Sequence, residues 1–171
     1  MDQVLRISRA GPERLDELEP LWHAVQQHHA ALAPTLAGFE ARPLQQSWIV
    51  RRRRYARELT DPGAFVLIAE HGAVPVGYAL VSLTDSPAGW SYGERIAELE
   101  TLSVLPHARG HGIGTKLMDA VEEELSNLGV QAVRVRVIEA NPDALRFYER
   151  RNLQLISRVL LGRIDIPRRP D

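Results

Sequence analysis

The chain has 171 residues, 44% hydrophobic and 25% charged, the balance of a globular domain with a sizeable core and not of a disordered or membrane chain. Its net charge of −1, from 22 acidic and 21 basic side chains, argues against nucleic acid as the main partner. The absence of cysteine excludes disulfides, thiolate metal sites and any Cys nucleophile.

Val4 to Ser8 alternates as a short strand does, and Gly11-Pro12-Glu13 then opens a helix. Leu15, Leu18, Trp22 and Val25 share one helical face, and Pro20 inside that pattern predicts a kink or a restart. Pro34 and Gly38 end this helix; a second runs from about Pro43 to Leu59 and stops at Asp61-Pro62-Gly63. The period then changes. Phe65 to Ala69 and Pro75 to Leu83 read as a hairpin turning at His71-Gly72, and Arg95 to Val104 is the next strand. From Gly112 the chain turns helical, with Leu117, Val121, Leu125 and Leu128 buried and Gly129 as the stop. Gln131 to Ile138 predicts a strand, Asn141 to Arg151 a last helix, and Leu155 to Leu161 a final strand. No repeat or linker divides the chain, so the expectation is one domain over residues 1–171. Its order predicts an α/β (α+β) fold with helices packed on a mixed sheet.

The segment from Val104 to Thr115 is a strand end, a glycine-rich turn and a helix start. Gly110, Gly112 and Gly114 let backbone approach a ligand, and the unpaired amides of the helix start favour an anion such as a pyrophosphate. Arg109 adds a charge-assisted donor. The P-loop pattern fails because Thr115 precedes Lys116 where glycine is required. The dinucleotide fingerprint fails because its last glycine comes one residue early. What remains is R-x-x-G-x-G, met by Arg109, Gly112 and Gly114.

With Leu102, Val104 and Pro106 before this turn, and Asn141, Ala144, Phe147, Tyr148, Glu149 and Arg150 after it, the chain resembles the GNAT superfamily of acyl-CoA-dependent N-acetyltransferases. The resemblance covers about residues 96 to 154. It implies a mostly antiparallel central sheet of six to seven strands with about four helices, and acetyl-CoA as cosubstrate with no metal. Backbone of Leu102, Ser103 and Val104 would pair with the pantetheine arm as an added strand does. The amides of Arg109, Gly110, His111, Gly112, Ile113, Gly114 and Thr115 would hold the pyrophosphate. Asn141 and Ala144 would lie on the cofactor side, and Tyr148 near the thioester sulfur. The family usually has glycine where this chain has Asn152, a residue that tolerates the left-handed conformation.

Acetyl transfer to an amine needs a base for the nucleophile and an acid for the departing thiolate. Tyr148 is the candidate acid. Glu98 and Glu100 share one face of an unbroken strand and rank level as base, unless a bulge separates them.

Other features read as structural. His23, His28 and His29 lack the spacing of a helical metal pair. Arg51 to Arg54 reads as a solvated face or an intersubunit salt-bridge surface, with acidic ligands or nucleic acid as the rival reading. The arginine excess, with Lys116 the one lysine, reads as genome composition. Trp22, His28, Trp48 and Tyr55 are weaker acceptor-site candidates, and Trp90 and Tyr92 sit in a loop. The expectation is therefore an N-acetyltransferase using acetyl-CoA and an amine acceptor, small molecule or peptide, with no nucleic-acid or membrane partner. Its rival is a non-catalytic acyl-CoA-binding module. The N-terminal MDQVLRISRA lacks a signal-peptide run, so a cytoplasmic location is expected, and the resemblance is compatible with a homodimer.

Overall fold

A computed structural model describes residues 4–164. Strand β1 (Leu5–Ala10) leads into a 3-10 helix over Pro12–Leu18 and then helix α1 (Glu19–Leu32). Pro20 lies in the first turn of α1, where its missing N–H costs nothing, so the chain restarts there. A small hairpin follows, β2 (Thr35–Leu36) and β3 (Phe39–Glu40), turned by Ala37 and Gly38 at φ 50° and 80°. Both turn residues are left-handed, the signature of a two-residue hairpin. Sequence reading saw only a helix end here.

Helix α2 (Leu44–Glu58) precedes the predicted hairpin of β4 (Phe65–His71) and β5 (Val74–Asp85), then β6 (Arg95–Val104), α3 (Ile113–Asn127), β7 (Val133–Val135) and α4 (Pro142–Glu149). The central sheet runs β1-β4-β5-β6-β7, antiparallel except for the parallel β6–β7 pair. Its two faces bury different sets. Leu117, Met118 and Val121 of α3 cover Leu67, Ala79 and Leu99; Leu18, Leu21, Trp48 and Tyr55 cover Val66, Ile68, Tyr78 and Leu80. Among the described residues, four α-helices and a mixed sheet match expectation, although the central sheet holds five strands, with two more in the separate hairpin.

One irregularity shapes everything near the site. Leu80 pairs with Thr101 while Val81 pairs with Leu99, so Glu100 is an extra residue in β6. Beyond it β6 no longer pairs with β7: the parallel register covers only Ala97–Leu99 against Val133–Val135. The expected strand from Gln131 to Ile138 is therefore cut to three residues. The expected final strand from Leu155 to Leu161 does not form, and its side chains are largely exposed. A strand needs a partner edge, and the three residues of β7 offer too little of one.

Gly77 of β5 holds the sheet close to α3. A Cβ there would stand 2.8 Å from the Ser103 carbonyl oxygen and 3.2 Å from Leu117. The C-terminal ends of α4 and α3 close in the same way. Leu153 N–H reaches the Tyr148 carbonyl, and Asn152, at φ 64°, donates to Glu149; Val130, Gly129 and Leu125 repeat the pattern after α3. Asn152 thus occupies the left-handed position without disturbing the helix.

Candidate functional site

Where β6 and β7 part, a cavity of about 700 Å³ opens between the sheet, α1, α2 and the β2–β3 hairpin. That is the size range of small-molecule sites. Glu98, Glu100, Leu102, Ser103, Val104, Arg109, Asn141, Ala144 and Tyr148 all line it. Leu102 to Val104 are paired on the β5 side, and no β7 residue pairs with them on the other. Ser103 is held by its Oγ donating to the Leu21 carbonyl at 2.9 Å. The strand therefore has one backbone edge beside the cavity that no other strand covers.

The glycine-rich turn has the conformation its residues allow. Gly110 and Gly112 are left-handed at φ 80° and 73°, while Gly114 lies inside α3. No side chain caps α3, so its first amides are available to an anion. Arg109 Nε donates to the Val104 carbonyl at 3.0 Å, which leaves its remaining N–H groups beside the same turn. Gly110 to Thr115 stand outside the cavity wall proper, next to Arg109.

At the other end, Asn141 caps α4: its Oδ1 accepts from Ala144 N at 3.1 Å, with Pro142 at the first helical position. This fixes the helix that carries Tyr148. The Tyr148 ring packs edge-on to Phe147 with centroids 5.1 Å apart, and burial alone pushes its phenol well above the usual range. Tyr148 is therefore neutral and protonated at physiological pH.

The two glutamates differ. Glu100 is fully engaged: Oε1 accepts from Arg54 and from Ser82 Oγ, each at 2.9 Å, and Oε2 lies 2.7 Å from Arg54. Glu98 is buried and binds Arg134 through Oε2, but its Oε1 has only Arg136 at 3.7 Å. The bulge gives them separate partners, Glu98 from β7 and Glu100 from α2. Next to Glu100, Thr101 joins Tyr55 and Tyr78 in a buried hydroxyl network, with Tyr55 bonded to each at 2.5 and 3.0 Å. Burial pushes the Tyr55 phenol up to about 12.

These pairings correct the reading of a solvated face at Arg51 and Arg54, while Arg53 is exposed and Arg52 stays at the surface. Arg51 and Arg54 turn inward to Glu100, and Arg52 pairs with Asp16 at 2.5 Å. The signal was present in spacing, since positions 51, 54, 55 and 58 share one face of α2. Arg134 and Arg136 were missed as well, although they alternate with Val133, Val135 and Val137 and so must face away from the α3 core. Of the weaker candidates, Trp22 and His28 line the cavity, while Trp48 and Tyr55 are core. Trp90 is exposed in its loop. His29 lines the same wall, and burial, then the charges of His28 and Arg51, hold it below the usual imidazole range. No group of metal-ligating residues occurs among the described residues, and none of their helices is long and apolar enough to cross a membrane.

The chain matches known proteins along most of its length. A mycothiol acetyltransferase of Propionibacterium freudenreichii subsp. shermanii is 27% identical over 157 residues, 92% of this chain and 45% of the relative. This chain thus spans about half the length of that relative. Thialysine N-epsilon-acetyltransferase of Mus musculus is 30% identical over 135 residues, 79% of this chain and 69% of the relative. Among solved structures, a GCN5-related N-acetyltransferase from Ralstonia eutropha JMP134 shares the fold with a TM-score of 0.73 at 18% identity, covering 93% of this chain and 98% of that one. An aminoglycoside N-acetyltransferase in complex with CoA does so with a TM-score of 0.67 at 18% identity, covering 95% and 96%. The model of the acetyltransferase (GNAT) family matches residues 22–153. The chain belongs to the acetyltransferase (GNAT) family.

Proposed function

We propose that the chain transfers the acetyl group of acetyl-CoA to a primary amine by direct attack in a ternary complex. The observation that carries this reading is one cavity that holds together a strand edge uncovered by β7 at Leu102 to Val104, a protonated Tyr148 and two glutamates whose side chains are 5% and 6% exposed, next to an uncapped glycine-rich helix start. The strand edge and the turn suit an extended arm ending in a pyrophosphate. The absence of cysteine supports direct transfer over an acyl-cysteine route.

In this reading the amine nitrogen forms a bond to the acetyl carbon as the carbon–sulfur bond breaks. The amine's proton passes to a carboxylate, directly or through a water, and Tyr148 gives its hydroxyl proton to the departing thiolate. Glu98 is favoured as the base because its Oε1 keeps an uncommitted lone pair, whereas both Glu100 oxygens are spent on Arg54 and Ser82.

Binding of the cosubstrate is tested first. CoA at about a hundred times its dissociation constant stabilises the protein by about 2.7 kcal/mol, seen as a rise in Tm. No rise at saturating CoA overturns the reading. Release of free thiol from acetyl-CoA in the presence of an amine then separates an enzyme from a non-catalytic CoA-binding module. A homodimer is supported by the exposed apolar side chains of Leu155, Ile156, Val159, Leu160, Leu161 and Ile164. Size-exclusion chromatography with light scattering is expected to return twice the 19.2 kDa chain mass; a monomer at high micromolar concentration refutes the dimer.

A further inference from the structure

We infer that the acceptor amine carries a free carboxylate and that Arg51 is the residue that binds it. This rests on the acetyltransferase reading above and adds the acceptor's chemical class to it.

The inference begins with an inventory of charge around the cavity. Glu98 is matched by Arg134 and Arg136, while Arg54 is shared between Glu58 at 2.6 Å and Glu100. Arg51 faces Glu100 without bonding to it. Its guanidinium lies 3.8 Å from the nearest Glu100 oxygen and makes no hydrogen bond among the described residues, although it lines the cavity. A guanidinium has five donors in a rigid fork that matches a carboxylate bidentately. An arginine that spends none of them on protein acceptors keeps that fork for a ligand.

Arg51 is also held in place. Its guanidinium carbon lies 4.2 Å from the centre of the Trp22 ring and 5.6 Å from that of Tyr55. Trp22 is itself fixed, its Nε1 donating to the buried Ser47 Oγ at 3.0 Å. Tyr55 is fully buried and anchored to Thr101 and Tyr78. Cation–π contact with two anchored rings restrains the guanidinium at the cavity wall. The cost of ordering a long side chain is thus met before the ligand arrives.

Glu100 offsets part of this charge but takes none of the donors. His29, on the same wall, is held toward its neutral form, and Arg42 also lines the cavity. A polycationic acceptor such as an aminoglycoside meets the Arg51 guanidinium with like charge. An amino acid, an ω-amino acid or a short peptide brings the complementary carboxylate together with its nucleophilic amine. The mouse relative named for thialysine, itself a carboxylate-bearing amine, is in keeping with this class.

The test uses the full chain and matched pairs of acceptors: lysine and lysinamide, S-(2-aminoethyl)cysteine and its carboxamide, β-alanine and its amide, and alanylglycine and its amide, with kanamycin as the polycation. Thiol release from acetyl-CoA gives kcat/KM for each. The carboxylate member of at least one pair is expected to exceed its amide by about tenfold to a hundredfold, the weight of a charge-assisted hydrogen bond, mainly through KM. Arg51→Gln is expected to bring that ratio to near one, and Arg51→Lys, which keeps the charge but loses the fork, to restore part of it. The CoA-induced rise in Tm, measured on each variant, reports that the protein is folded and its cosubstrate site intact. Calorimetric titration of the CoA-loaded protein with the same pairs reads recognition without turnover. A CoA response with amides or kanamycin preferred, or a carboxylate preference that survives Arg51→Gln, overturns the inference and leaves the acetyltransferase reading standing. Failure of CoA to bind overturns that reading instead.

Discussion

Tyr148→Phe is expected to lower kcat by about a hundredfold or more, the range for loss of a positioned general acid, while the KM for acetyl-CoA changes little. The side chain keeps its packing in the variant, since Phe retains the ring that meets Phe147 edge-on. Only the donated proton is lost. The pH dependence follows from the direction of the shift. Burial raises the Tyr148 phenol above its ordinary value, so the acid stays loaded throughout the neutral and mildly alkaline range. The wild-type kcat profile therefore shows no downward limb from this group below about pH 10, and the Tyr148→Phe profile lies below it at every pH. For stability the sign is the same: a neutral buried phenol stabilises the fold below the unfolded value near 10 and loses that contribution as pH rises through the folded one. Steady-state kinetics across pH 6 to about 10 check both statements. A kcat equal to that of the wild type removes Tyr148 from the chemistry and leaves it a packing residue.

Much of the fold was readable because it rests on local periodicity. The α3 stripe of Leu117, Val121 and Leu125, the β4–β5 hairpin at Gly72 and the restart at Pro20 are each set by residues close in sequence. The segment from Leu155 to Leu161 shows the limit. Its apolar residues have strand propensity, but whether they pair depends on the edge left by β7, and that edge ends at Val135. The site followed the same division. The turn at Arg109 to Gly114 and the cap at Asn141 announce themselves in a few adjacent residues. Glu98 and Glu100 could not be told apart, because their difference lies in partners up to 46 positions away on α2 and β7. The bulge that assigns those partners is a property of the β5–β6 register, to which Gly77 and the close approach of Ser103 also belong. The arginines gained roles for the same reason: alone they read as composition, and folded they neutralise two buried carboxylates beside a cavity.

The two glutamates can therefore be separated by experiment. Glu98→Gln is expected to cut kcat by about a hundredfold at neutral pH, because the carboxylate with the uncommitted Oε1 can no longer take the amine's proton. The deficit should shrink as pH rises, since solution then delivers the amine already neutral. Glu100→Gln should behave differently. It removes the counter-charge of Arg51 and leaves Arg54 with Glu58 alone, and the Glu100 side chain is only 6% exposed, so the loss falls on stability and on acceptor KM. Arg54 is partly exposed and can turn toward water, which limits the cost to about 1–3 kcal/mol. Chemical denaturation measures that cost, and the pH profile of kcat measures the proton transfer. If the pH-dependent loss of kcat appears in Glu100→Gln and not in Glu98→Gln, the base is the bulged residue, and the arginines around it act on the acid–base chemistry. If it appears in neither, the proton leaves through water ordered by both carboxylates, and the double variant alone should show the deficit that closes with rising pH.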